Sequence, residues 1–390
     1  MPLLPYSRQT VGEEEAAAVA AAVRAALLTG GPTLARFEAA LAEATGARHA
    51  IAVSSGTAAL HTAYRAAGLG PGDAILTSPL TFVATASAAA HAGAVVRFAD
   101  VGADGCLDPA AVARAVADGP APKLLVPVHY AGHPADLEAL AAAAPGATIV
   151  EDACHALGAE YRDRAGAWHA VGSCAHAAMA VMSFHPVKAI TTGEGGAVLT
   201  NDRGLAERCR RIRDHGLVRE PPGADGPWAY ELHEPGFNYR LTDVQAALGL
   251  VQLGRLSDFI ARRRRIAALY DRTLAAVPAV EPVMPRRGTR SAHHLYVVRV
   301  PAGVRRAVFE MLRARGIGVQ VHYVPVHRQP YYRRLLGDVA LPAAERLYGE
   351  ILSLPCFPGL TGDDVAEVVA ALGEALAEAT REEGHAHPVC

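Results

Sequence analysis

Lys188 lies in Ser183-Phe184-His185-Pro186-Val187-Lys188-Ala189-Ile190-Thr191-Thr192-Gly193-Glu194-Gly195-Gly196, a turn between two runs that read as buried strands. The first run, Ala175 to Met182, is small and apolar; the second is Gly196-Ala197-Val198-Leu199-Thr200-Asn201. The glycines permit a tight turn and a close backbone approach. A loop lysine is ordinarily solvated. One that is partly desolvated has a lowered pKa and becomes an amine nucleophile able to form a Schiff base with a carbonyl. Two further stretches carry chemistry of their own. Ser54-Ser55-Gly56-Thr57-Ala58-Ala59-Leu60 closes a strand and opens a helix. Backbone N–H groups, hydroxyls and the helix dipole there suit a phosphate dianion, although an ordinary capped helix reads the same way. Asp152, in Glu151-Asp152-Ala153-Cys154-His155-Ala156-Leu157-Gly158, ends the strand containing Ile149 and Val150. Ligands of parallel α/β sheets gather at such carboxyl ends.

The elements that must position these residues follow from periodicity. Short apolar runs at Ala50–Ser54, Ala74–Ser78, Val95–Ala99, Lys123–Val128, Thr148–Glu151, Ala177–Ser183 and Ala197–Thr200 alternate with helical stretches. That alternation implies an α/β fold with a mainly parallel sheet covered on both faces. Gly12 to Leu28 reads as a helix, ended by Leu28-Thr29-Gly30-Gly31-Pro32, and Thr33 is placed to cap a second helix running to about Thr45. Leu241 to Val277 reads as one long helical stretch, with Thr242 or Asp243 at its entrance. His294–Val300, Val319–Tyr323 and helices around 305–315 and 342–351 suggest a compact α+β carboxy-terminal part, with a charged, frayed tail beyond about Thr380.

Composition bounds the function. The chain has 390 residues, 51% hydrophobic and 19% charged, enough for one large and one smaller domain rather than a disordered chain. A formal net charge of -2 gives no electrostatic case for nucleic acid or an anionic membrane. The basic run Arg262-Arg263-Arg264-Arg265 falls in a helical pattern and reads as a solvated or interface face. Cys106, Cys154, Cys174, Cys209, Cys356 and Cys390 lack C-x-x-C spacing, which argues against a zinc site or a disulfide framework. His385-Ala386-His387 with Cys390 reads as tail rather than metal site, so no metal is expected. Without an apolar leader or spanning segment the expected compartment is the cytoplasm. Gly68-Leu69-Gly70-Pro71-Gly72 follows a helix, and is a turn rather than a dinucleotide fingerprint.

The lysine turn resembles the Schiff-base lysine segment of the DegT/DnrJ/StrS family of pyridoxal phosphate-dependent sugar aminotransferases. The family's Ser-Phe-(His)-x-x-Lys-x-(Ile)-x-Thr-x-Glu-Gly-Gly pattern is intact here, and the resemblance extends from Tyr6 to about Thr361. It implies fold type I, with a seven-stranded, mainly parallel sheet containing one antiparallel strand, and a small α+β domain. The expected division is an amino-terminal segment, 1–28, packing on the core, a large cofactor domain, 29–255, a small domain, 256–380, and a mobile tail, 381–390. The resemblance assigns Lys188 to covalent attachment and Asp152 to the pyridine nitrogen, where a carboxylate keeps the ring an electron sink. Gly56, Thr57 and Ser183 match the phosphate contacts, Phe82 the aromatic that stacks on the ring, and His155 a residue beside it. Phe82 and His155 read equally as core residues from their own surroundings. Asn238 matches a residue reaching the phosphate of the neighbouring subunit, which implies a homodimer with shared active sites.

The substrate expectation rests on the same resemblance. Tyr6, Leu28 and Thr29 match positions that border a sugar nucleotide, and His322 and Tyr323 are further candidates, or else ordinary strand residues. With Val126-Pro127-Val128-His129-Tyr130-Ala131-Gly132 and Ile351-Leu352-Ser353-Leu354-Pro355-Cys356, these stretches look most like the pseudaminic acid branch. The expected reaction moves an amino group from L-glutamate, through the pyridoxamine phosphate form, to C4 of a UDP-linked 4-keto-6-deoxy-N-acetyl-L-altrosamine-type sugar. The alternative acceptor is a dTDP- or GDP-linked 4- or 3-keto sugar, or a cyclitol. Sugar 3-dehydration, associated in the family with histidine in place of the lysine, is opposed by Lys188.

Overall fold

All seven expected apolar runs are strands of one sheet in the computed structural model, which describes residues 4–219 and 225–386. In chain order the strands are β1 (His49–Val53), β2 (Ala74–Thr77), β3 (Val95–Phe98), β4 (Leu124–Val126), β5 (Thr148–Asp152), a hairpin of β6 (Glu160–Arg162) and β7 (Trp168–Ala170), then β8 (Met179–Ser183) and β9 (Gly196–Thr200). The large sheet runs β1-β9-β8-β5-β4-β2-β3. Its neighbours are parallel except β9, which is antiparallel to both β1 and β8, the one reversed strand that the resemblance implied. Every residue of β2, β4 and β9 is buried, so these strands are continuous apolar runs rather than alternating ones, as helices on both faces require.

The first helices are α1 (Glu13–Val23), α2 (Pro32–Thr45), α3 (Gly56–Ala66) and α4 (Ala84–His91). α1 stops five residues before the expected end at Leu28. Thr33 does not cap α2; Gly31 holds that position. The free N–H groups of Gly31, Thr33 and Leu34 instead donate to the Asp243 carboxylate at 2.8, 2.9 and 3.1 Å. A carboxylate there satisfies orphan donors and complements the dipole, so a charge more than two hundred residues away does the work of a local hydroxyl. Thr242 caps its own helix, Asp243–Gly254, through a capping box with Gln245. The long stretch expected from Leu241 to Val277 is two helices, Asp243–Gly254 and Leu256–Thr273, joined through Arg255.

A second buried cluster, around Ile266, Tyr270, Leu312 and Leu372, lies between helices Leu256–Thr273, Arg305–Ala314 and Gly362–Ala386 and the strands Tyr296–Arg299 and Ile351–Leu354. Val319–Tyr323 forms no strand; Gln320 makes an isolated bridge to Ser353. Only Arg265 of the basic run is exposed; the other three turn inward. Arg263 is 1% exposed, and its guanidinium donates to the carbonyls of His293, His294 and Cys356 at 3.3, 3.2 and 2.7 Å. Arg262 reaches Pro358 and Leu360, and Arg264 reaches Ser291 and Gly158, so these cations satisfy loop carbonyls inside the protein. The tail residues His387 and Cys390 lie outside the described residues.

Candidate active site

The site assembles at the carboxyl ends of β1, β2, β5 and β8. Ser55 caps α3 by accepting from the Ala58 N–H at 3.1 Å, leaving Gly56 and Thr57 in the first helical turn. First-turn N–H groups have no intrahelical partner and carry the positive end of the dipole. Two glycines make the approach possible. A Cβ on Gly56 would stand 2.9 Å from Ser183 Cβ, and one on Gly196 would stand 2.5 Å from the Ser55 carbonyl oxygen. Larger residues would push β8 and β9 away from α3. Gly56 and the Ser183 hydroxyl therefore meet at this helix start, next to Thr57, an arrangement that suits an anion.

Asp152, the last residue of β5, is 5% exposed. Its Oδ2 accepts from the Thr85 hydroxyl at 2.6 Å and its Oδ1 from the Cys154 N–H at 3.2 Å. The Thr81 hydroxyl, on the loop before α4, is 2.6 Å from that of Thr85 in its first turn, so the entrance to α4 presents a short hydroxyl relay to the carboxylate. No salt bridge reaches Asp152 among the described residues. A buried carboxylate without a cation is costly, and a protonated ring nitrogen is the kind of partner that offsets the cost. Phe82, between β2 and α4, is 57% exposed, an unusual position for a large apolar ring and a suitable one for a flat ligand.

Lys188 is partly buried, and desolvation lowers its pKa against the opposing influence of Cys154 and Asp152. Its turn is braced from within and from afar. Phe184 N–H donates to Gly195, and the Thr192 N–H and Thr191 hydroxyl both return to the Phe184 carbonyl at 3.0 Å. From outside, Gln245 donates to the Glu194 carbonyl at 2.8 Å, and the Ser7 hydroxyl to the Val187 carbonyl at 3.3 Å.

Facing the lysine is a group of buried imidazoles. His155 Nε2 pairs with the Tyr323 hydroxyl at 3.0 Å, while His155 Nδ1 is buried with no partner. Burial, then the Lys188 charge, holds His155 well below the ordinary imidazole range. His294 packs on it with ring centres 4.4 Å apart and is lowered in the same way, by burial first. His322, held by Ser353 at 2.9 Å, is pushed down to about 4 by burial and Lys188. Tyr6 packs against His322 with centroids 5.3 Å apart, and Tyr323 lies 6.2 Å from Phe82.

Of the expected residues, Gly56, Thr57, Phe82, Asp152, His155, Ser183, Lys188, Tyr6, His322 and Tyr323 thus share this region. Leu28 and Thr29 are exposed on the loop before α2, Leu28 accepting from the Asp243 N–H at 2.9 Å and Thr29 bridging Thr242. Asn238 is exposed on a segment paired with Asp214, and no hydrogen bond joins it to Gly56, Thr57 or Ser183 among the described residues. Sequence reasoning missed Thr85 and His294. The four-residue spacing of Thr81 and Thr85 was a signal for the first; nothing local distinguished the second. Beyond Tyr323, the Val326 N–H docks on the Pro79 carbonyl at 2.9 Å, and a cavity of about 460 Å³ is lined by Arg328, Arg333, Arg334 and Asp338.

A glycine-lined helix start, a buried carboxylate without a salt bridge among the described residues, an exposed aromatic, an orphan imidazole nitrogen and a desolvated lysine fit pyridoxal phosphate. The model of the family described as DegT/DnrJ/EryC1/StrS aminotransferases matches residues 9–373. The spore coat polysaccharide biosynthesis protein SpsC of Bacillus subtilis is 39% identical, covering 95% of this chain and 96% of that protein. Among solved structures, Helicobacter pylori PseC, an aminotransferase involved in the biosynthesis of pseudoaminic acid, is 32% identical with a TM-score of 0.89, covering 96% of this chain and 100% of that one. The sugar aminotransferase Spr1654 of Streptococcus pneumoniae in its PLP form is 26% identical with a TM-score of 0.87, covering 97% and 99%; it is also known in a PMP form.

Proposed function

The chain belongs to the DegT/DnrJ/EryC1/StrS aminotransferase family, whose members use pyridoxal phosphate, and we propose that it aminates C4 of a UDP-linked 4-keto-6-deoxy-N-acetyl-L-altrosamine-type sugar with L-glutamate as donor. The observation that carries the chemistry is Lys188, partly desolvated and within the electrostatic reach of a buried Asp152 that makes no salt bridge among the described residues. The likeness to PseC supports the substrate class.

Bound in this site, the cofactor supplies an electron sink and carries the amino group between donor and acceptor. Lys188 would hold it through Nζ and, once released, would take and return the proton at the substrate carbon that bears nitrogen; desolvation lowers its pKa, which favours the neutral amine. Asp152 holds a proton on the ring nitrogen, and the Thr85 hydroxyl and Cys154 N–H fix the orientation of its carboxylate. Gly56, Thr57 and Ser183 bind the phosphate, with Asn238 closing it from a second copy of the chain in a homodimer. Phe82 and His155 flank the ring. His155, neutral because it is buried, adds no charge to compete with the ring proton. Tyr6, Leu28, Thr29, His322 and Tyr323 border the sugar nucleotide. This chemistry belongs in the cytoplasm, where nucleotide sugars serve as substrates.

The test is a single-turnover assay of pyridoxamine phosphate-loaded protein against a panel of keto-sugar nucleotides. Return of the pyridoxal phosphate absorbance with the UDP-4-keto-6-deoxy-N-acetyl sugar alone is expected. A faster response to a dTDP- or GDP-linked sugar would overturn the substrate and leave the role of Lys188 intact.

A further inference from the structure

Outside the active site, the β6–β7 hairpin carries a side-chain cluster that the aminotransfer chemistry does not use. Asp163 closes the hairpin turn: its N–H donates to the Ala167 carbonyl at 2.9 Å, and its Oδ1 accepts from the Ala167 N–H at 2.7 Å. The turn therefore consumes one carboxylate oxygen and leaves Oδ2 free. Oδ2 lies 2.8 Å from His169 Nε2 on β7 and 3.9 Å from His176 Nε2 on the loop entering β8. The ligand atoms of the three residues all lie within 4.8 Å of one another. His176 Nε2 is itself buried with no hydrogen-bond partner, and stands too far from Asp163 to make one.

That spacing is what a small cation would use. Tetrahedral coordination with bonds of ~2.0–2.1 Å places donor atoms roughly 3.3 Å apart, between the two carboxylate–imidazole distances seen here. Two imidazoles and one carboxylate favour a borderline divalent transition metal over magnesium or calcium, which take oxygen ligands. The side chains of His169 and His176 are 25% and 26% exposed, so the cluster lies just beneath the surface, with His176 Nε2 itself covered. We propose that Asp163, His169 and His176 bind a divalent transition-metal ion, Zn²⁺ foremost, that clamps the hairpin to the entrance of β8.

The clamp is structural. Two residues past His176, the Ala178 N–H donates to the Ile149 carbonyl at 3.0 Å and the Ala178 carbonyl accepts from the Thr200 hydroxyl at 2.7 Å, which starts β8 between β5 and β9. A metal at His176 anchors the strand that ends at Ser183 without touching the reacting groups. An ion bound only by the folded state raises the unfolding temperature by mass action. Spacings of six and seven residues, without cysteine, hide the site from sequence motifs.

The experiment is calorimetric titration of Zn²⁺ into chelator-treated holoenzyme. One site is expected whose affinity falls at least tenfold in His176→Ala and in Asp163→Asn. The second variant retains an amide oxygen for the turn, so its fold is preserved. Zn²⁺ should raise the thermal midpoint of the unaltered protein and not of His176→Ala, whose aminotransfer rate without metal stays at the unaltered level. The carboxy-terminal histidines are common to all three proteins and give an equal background. Equal Zn²⁺ affinity in the three, or no site-specific binding in the unaltered protein, overturns the proposal.

Discussion

The lysine turn and the segment that carries Asn238 are held in opposite ways. Around Lys188, backbone and side-chain bonds from Phe184, Thr191, Thr192, Gln245 and Ser7 brace one loop, and the surrounding strands are buried. The hairpin Leu217–Arg219 with Tyr230–Leu232, leading to Phe237 and Asn238, offers its large side chains to water instead: Trp228 is 72% exposed, Leu232 63%, Tyr230 62% and Phe237 53%. Clustered exposed aromatics are a mark of a surface made for another molecule. One chain thus braces the lysine turn internally and presents the Asn238 segment to solvent, the surface that the proposed shared dimer would cover.

Breaking the first region has the larger effect. Lys188→Ala removes the proposed anchor and proton carrier, and transamination should fall by on the order of 10³-fold or more in single-turnover assays. The variant should also lack the covalent cofactor label that borohydride reduction is expected to leave on Lys188 of the unaltered protein as it bleaches the visible absorbance. Retained turnover would transfer the proton role to another group.

Acid reaches both regions through their buried imidazoles. His293 and His322 are pushed down to about 4 and His133 to about 3, and His61, which packs on Phe237 and Tyr239, is pushed down to about 4, each by burial first. As pH falls below the ordinary imidazole value of 6.5, the unfolded chain takes up protons that the folded chain refuses. Stability is therefore lost from 6.5 down to about 4, and these groups add little further loss below their folded values. Each refused proton steepens the loss by about 1.4 kcal/mol per pH unit. Denaturant melts across that window should show a slope exceeding one proton. A flat profile would mean that the imidazoles are already charged in the folded protein.

A subtler change tests how the lysine region is tuned. Asp152→Asn keeps the size and the acceptor for Thr85 and removes the charge, so kcat should drop by about 10²-fold while the thermal midpoint of the cofactor-free protein rises or holds. Unchanged kcat would mean that the ring-nitrogen proton has another keeper.

The legible part of the site was the part built from contiguous chain. Asp152 at a strand end, Gly56 and Thr57 at a helix start, and Lys188 between two strands each announce themselves within a dozen residues, and so do all seven strands. Illegible features depend on contacts that no period encodes. Asp243 caps α2 across the chain, His294 packs on His155, and Arg263 turns inward because loop carbonyls need donors, whereas a run of arginines by itself reads as solvated. The hairpin of β6 and β7 was missed because three-residue strands carry too little alternation to detect.

The smallest expected effect answers the sharpest question, which is whether the exposed segment completes a neighbour's site. Asn238→Ala deletes one hydrogen-bonding group, worth about 1 kcal/mol, so pyridoxal phosphate should bind roughly fivefold more weakly at equilibrium dialysis. Asn238→Glu sets a negative charge against the phosphate and should starve the site of cofactor. Mixing the inactive Lys188→Ala chain with Asn238→Glu chains then discriminates between arrangements. In a shared site, the lysine of the second and the asparagine of the first meet in one intact centre, and activity returns. If each chain keeps its own asparagine, every centre in the mixture holds one defect, and no activity returns. Recovery on mixing would make the open hairpin region half of an active site; its absence would make that surface an interface alone.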